Sequence, residues 1–209
     1  MPVKKQTETR WITDDGFALT FEPVEDTIQV TPTETGYEVR YLSIDMDAQS
    51  PDDDDDDGLF LVHYHQQFHL TRDAIVTQND VRDWYHEQNI PQEEAYWIFA
   101  VAALIHSGVW LMLGHTGFDC DSQGWDTSHV GVVLAAKSEW SDKDRARLAA
   151  TQLVDAWNSY LSGDVYGIIH EKFSAEKVLL DSDHVWGFVG RRYAEEELRQ
   201  FGLAPCLSP

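Results

Sequence analysis

The order of apolar and polar segments predicts an α+β protein: a single domain with a mostly antiparallel sheet of about five to seven strands, two or three helices and an N-terminal hairpin. Three observations carry this. Short apolar runs rich in β-branched and aromatic residues recur along the chain, as at Trp97–Ile105, Val109–Leu113 and Val165–Phe173. Turn residues separate most of them, so neighbouring runs can pair as hairpins. One clear amphipathic helix, after Ser141, interrupts the series.

Residues 1–16 are polar and read as a loose start. Thr27–Val30 and Tyr37–Ile44 alternate apolar and polar residues around a Pro- and Gly-bearing turn, which reads as the hairpin. Ser50-Pro51 opens a solvated loop containing Asp52, Asp53, Asp54, Asp55, Asp56 and Asp57, whose like charges cannot pack together. A boundary is drawn there: 1–57 for hairpin and acidic loop, 58–203 for the core domain, 204–209 for a tail. Leu59–Leu70 reads as a long strand. Thr77–Asn89 reads as a helix, with Thr77 as cap, Val81, Trp84 and Tyr85 on one face, and Pro91 as its stop.

Trp97–Ile105 and Val109–Leu113 form buried strands around His106-Ser107-Gly108, where Gly108 is expected at positive φ. Val130–Ala135 is a further strand. In the next helix Ser141 and Asp144 make a capping box, with Ala149, Leu153, Ala156, Trp157 and Tyr160 on one stripe and Gly163 at the C-terminal cap. Val165–Phe173 and Val185–Val189 are strands, and Tyr193–Phe201 is a last helix before Gly202. No internal repeat is visible.

Charge bounds the function. The chain has 37 acidic and 15 basic residues, a net charge of −22, with Asp dominating Glu and Arg dominating Lys. One reading is adaptation to high salt, where a Debye length of about 3 Å at 1 M removes self-repulsion. The other is imitation of nucleic acid on a basic groove of another protein. Either disfavours direct binding to DNA or RNA, which requires clustered cations. Two cysteines, Cys120 and Cys206, are too few for a disulfide framework. The start has no signal-type apolar stretch, and no apolar run approaches the roughly 20 residues of a membrane helix. A cytoplasmic protein that does not engage membranes is expected.

Candidate sites follow from residue type and spacing. His63, His65 and His69 share one strand face, and His-x-His can chelate a divalent transition metal, with His106 or His115 as a further ligand. The competing reading is ordinary cross-strand histidines. Ser107 lacks the Gly-x-Ser-x-Gly elbow of a serine nucleophile. Cys120 is flanked by Asp119 and Asp121, which disfavour a thiolate. Asp53-x-Asp55-x-Asp57-Gly58 opens like a calcium loop, but Tyr64 stands where the bidentate glutamate belongs. Trp110, Trp125 and Asp126 could floor a ligand pocket; packing in the core is the alternative.

Four segments in order, Ile105–Leu111 (IHSGVWL), Gly124–Gly131 (GWDTSHVG), Trp157–Gly167 (WNSYLSGDVYG) and Trp186–Gly190 (WGFVG), carry a resemblance. Together they resemble a large family of uncharacterised proteins encoded by phages, plasmids and other integrated elements, over about residues 58–190. The resemblance implies a mobile-element origin and no defined activity. The resulting expectation is a non-catalytic acidic interaction protein needing no cofactor. It would act as a counter-defence inhibitor, blocking a host protein with a basic, nucleic-acid-binding surface through Asp52–Asp57, Asp45 and Asp47, with Trp11 or Trp140 as apolar anchors. The alternative is a small metal-dependent enzyme built on His63, His65 and His106, with Asp119 or Asp126 for acid–base work.

Overall fold

The computed structural model describes residues 11–51, 58–63, 91–106, 108–114, 118, 120–121 and 125–201. Among these the chain is α+β. Its ten strands are β1 (Trp11–Ile12), β2 (Ala18–Leu19), β3 (Gln29–Pro32), β4 (Gly36–Ile44), β5 (Leu59–His63), β6 (Tyr96–Ile105), β7 (Val109–Leu113), β8 (Thr127–Ala136), β9 (Val165–Ser174) and β10 (Leu179–Val189). Its two α-helices are α1 (Lys143–Leu161) and α2 (Arg191–Gln200). Every strand pairing is antiparallel, and the strand count exceeds the five to seven expected.

The chain forms two compact units, Met1–Ala48 with Gly163–Pro209, and Gln49–Ser162. The expected hairpin is present as β3 and β4, but it does not stand apart: β4 pairs with β9 along its whole length. A boundary at residue 57 reflects composition, whereas backbone pairing joins segments more than a hundred residues apart.

In the first unit the sheet order is β10-β9-β4-β3. Alternation divides its residues between two faces. Val39, Tyr41, Ile169 and Phe173 point to one side and bury with Phe17 and Leu19. Leu42 and Ile168 point to the other and bury with Ala194 and Leu198, four residues apart on α2. Of the segment read as loose, residues 11–16 are tied down by β1–β2 pairing around Gly16 at φ +83°. Buried Glu171 adds a second tie, accepting the Thr20 N–H at 3.0 Å. Burial pushes the Tyr41 hydroxyl above its ordinary value, and the Glu171 charge adds to that rise. Strand β10 begins well before Val185, because Asp181–Val185 pair with Ile168–Lys172 although Asp181-Ser182-Asp183 carries no apolar signal.

In the second unit the order is β5-β8-β6-β7. One face carries Leu59, Leu61, Phe99, Val101, Ala103, Leu111 and Val133, all buried with Ala146, Ala150, Leu153, Val154 and Trp157 of α1. The strand read as Leu59–Leu70 is described to His63, and the Thr77–Asn89 helix lies outside the described residues.

Helix α1 starts one residue later than the capping box implied. Asp142, extended at φ −104°, accepts the Asp144 and Arg145 N–H groups, each at 2.9 Å. Ser141 and Asp142 are both good caps; the carboxylate takes the place because it satisfies two orphan donors and meets the helix dipole favourably. Gly163, at φ +72°, terminates the helix as expected. Burial of Leu153, Val154 and Trp157, about 2 kcal/mol each, outweighs the cap. Asp142→Ala should therefore leave α1 folded and lower stability by about 1 kcal/mol in urea unfolding.

Candidate functional site

The residues that carry chemistry gather at one end of the second unit's sheet, where the β6–β7 turn meets the start of β8. The Ile105 N–H donates to the Asp126 carbonyl at 2.9 Å, continuing the ladder past Leu104–Thr127. In the turn the His106 N–H donates to the Gly108 carbonyl at 3.2 Å. Gly108 is not among the glycines at positive φ, contrary to expectation.

This places His106 beside Asp126, twenty residues away in sequence, with Nδ1 and Oδ2 3.4 Å apart. Asp121 fixes the approach to β8. Its Oδ1 accepts the Trp125 N–H at 3.0 Å, and its Oδ2 accepts the Asp126 N–H at 2.9 Å and the Thr127 hydroxyl at 2.8 Å. The Thr127 hydroxyl, supported by these backbone donors, holds the Asp121 carboxyl below its usual range. Sequence reading gave Asp121 only a role beside Cys120; its partners lie four to six residues on, beyond the two-residue reach of an Asx turn, so no local turn signature marked it.

Two indoles sit at the same end. Leu104 lies opposite both Trp110 on β7 and Thr127 on β8, so these three share a sheet face. Trp110 is 52% exposed and Trp125 is 86% exposed. They are surface aromatics rather than core. Trp110, Trp125 and Asp126 thus belong to one region of the fold, and His106 and Asp121 join them. The chemistry on offer is recognition: aromatic faces attract cations, and adjacent carboxylates pair with them.

The metal reading fares differently. His63 is buried under α1, its ring edge-on to Trp157 with centroids 5.9 Å apart. Gly131 opposite it has no room for a side chain, since a Cβ would fall 2.2 Å from the Val62 carbonyl oxygen. His63, Gly131 and Val101 are in register, and His106 lies five residues beyond Val101, roughly 16 Å along the strand at about 3.3 Å per residue. One ion cannot bind both. His65 lies outside the described residues, as do His69, Ser107, His115, Asp119 and Cys206. No group of three His, Cys, Asp or Glu suited to a metal occurs among the described residues. Cys120 is a free, exposed thiol.

Asp52–Asp57 also lie outside the described residues. Of the other expected contacts, the Asp45 carboxylate accepts the Asp47 N–H at 3.1 Å in a local turn. Trp11 is partly exposed, whereas the Trp140 carbonyl accepts the Trp97 Nε1–H at 2.8 Å and its ring packs against the core. Compared with family models, curated proteins and solved structures, the chain has no match.

Proposed function

We propose that this chain is a non-catalytic acidic interaction protein that docks on a basic surface of a partner protein, with Trp110 and Trp125 as anchors and Asp121 and Asp126 as charge partners. The observation that carries this is Trp125: an indole 86% exposed whose backbone is held by the Asp121 carboxylate. A backbone already held in place has less freedom to lose on binding, and tryptophan is a recurrent energetic centre of protein interfaces. The chain's net charge of −22 favours a cationic partner and speeds encounter.

The finer reading is a counter-defence inhibitor of mobile-element origin acting in the cytoplasm. It occupies the basic channel of a host nucleic-acid-binding machine without touching nucleic acid itself. Its support is the acidic charge together with the four motif segments. No helix among the described residues is long and apolar enough to cross a membrane.

Affinity capture from host lysate at low and high salt tests both levels. Nucleic-acid-processing proteins should be retained at low salt, reduced at high salt, and lost with the Trp110→Ala/Trp125→Ala protein. Retention of the same proteins by that variant would remove the anchor assignment. Capture of no nucleic-acid-processing protein at either salt would remove the inhibitor reading.

A further inference from the structure

Strand β10 forms one edge of the first unit's sheet, and we propose that this edge accepts an extended basic segment of a partner protein as an added antiparallel strand. The inference is independent of the tryptophan surface: it concerns the other unit and uses backbone pairing rather than aromatic anchors.

The edge is long and open. β10 has 11 residues and among the described residues pairs only with β9, whereas the opposite edge, β3, has 4 and ends in Pro32. Residues 180–185 are all exposed, with Leu180 at 65% and Val185 at 44%. Pairing with β9 is regular from Asp181 to Val185, between irregularities at Leu179/Asp181 and Val185/Phe188. That run keeps one register over five residues, enough to template a neighbour.

One outward donor is already visible. The His184 N–H donates to the Asp183 carboxylate at 2.9 Å rather than to the ladder. Backbone groups alternate along a strand, so those of Ser182 share this outward edge. An incoming strand would take the His184 donor and release the Asp183 carboxylate to meet a cation.

The side chains specify the occupant. Asp181, Asp183 and Val185 share one face. An antiparallel neighbour sets its residues opposite them in the order apolar-x-basic-x-basic. Lys172 offsets Asp181 in part, at 3.4 Å, while Asp183 stands opposite His170 in the register. In the register centred on Ser182 a second copy of β10 fits poorly. Two-fold pairing about Ser182 sets Asp181 against Asp183 of the other copy, and like charges directly opposed are destabilising.

The full chain should be titrated with a fluorescent acetyl-Thr-Val-Thr-Lys-Thr-Lys-Thr-amide peptide at about 0.15 M salt, read by anisotropy. Saturable binding is expected. Methylating the peptide nitrogens that face the edge, or replacing both Lys by Glu, should each weaken it at least about tenfold. Asp181→Lys/Asp183→Lys, at exposed positions, should reverse the preference between the Lys and Glu peptides. Equal binding of the methylated peptide would reduce the effect to bulk charge and overturn strand addition. An unreversed preference, or no saturation by about 1 mM, would overturn it as well. Self-association in sedimentation, strengthened by the Asp183→Lys change and competed by the peptide, would assign the edge to a second copy instead. Survival of peptide binding in Trp110→Ala/Trp125→Ala would show the two surfaces to be separate, and its loss there would overturn the β10 assignment.

Discussion

Asn158→Ala is expected to lower folding stability by about 2–5 kcal/mol, far more than loss of one exposed contact. Asn158 is buried on α1, where its Oδ1 accepts the Leu111 N–H at 2.7 Å and its Nδ2 donates to the Leu111 carbonyl at 2.9 Å. Among the described residues β7 is an edge strand, and no strand on that side of Leu111 satisfies these groups. The carboxamide presents one donor and one acceptor in the geometry of a neighbouring strand, and the helix closes the edge. Alanine leaves both backbone groups buried without a partner, at about 1–3 kcal/mol each. Guanidinium unfolding gives the energy, and exchange of the Leu111 amide reports the local opening. An unchanged midpoint with unaltered Leu111 protection would show that β7 is held by packing alone. Asn158→Asp offers a second reading, since it keeps size and acceptor but places a carboxylate against the Leu111 carbonyl.

This pairing also joins two of the four motif segments quoted from the sequence. Leu111 closes the first and Asn158 lies in the third, so they describe one helix-to-edge lock. The second segment contains Gly131, where β8 passes close to β5, and Asp126 and Thr127, held by Asp121. Strand β6 was legible because burial on two faces leaves little polar interruption, and β7 because its run is wholly apolar although Trp110 on it is exposed. β10 was legible only from Val185, because its first half is an exposed edge whose Asp and Ser residues read as loop. The candidate site was legible in its members and not in its assembly. His106 and Asp126 meet through the register of β6 and β8, and register depends on long-range pairing rather than local pattern. The exposure of Trp110 and Trp125 was hidden for another reason: aromatic composition argues for core wherever no fold is yet in hand.

The remaining large effect is expected at Gly167. A Cβ there would lie 2.1 Å from Trp186 Cε3 and 2.4 Å from Cζ3, well inside any tolerable contact. The indole lies across β9 at the one residue without a side chain, and it is wedged edge-on against Phe21 with centroids 5.2 Å apart. Gly187, at φ +91°, lies within the pairing irregularity between Val185 and Phe188, where β10 turns this side chain onto its neighbour. Gly167→Ala must therefore expel the ring or displace β9, and a loss of about 3 kcal/mol or more is expected from overpacking and lost aromatic burial together. Trp186→Leu alone should cost about 2 kcal/mol through the void it leaves. The two changes share one space, so the double variant should be more stable than the sum of the singles requires, by about 1–3 kcal/mol of coupling. A thermodynamic cycle from urea unfolding measures it. Additive losses would mean that glycine is required at 167 for backbone reasons, and that the third and fourth motif segments are not joined through Trp186.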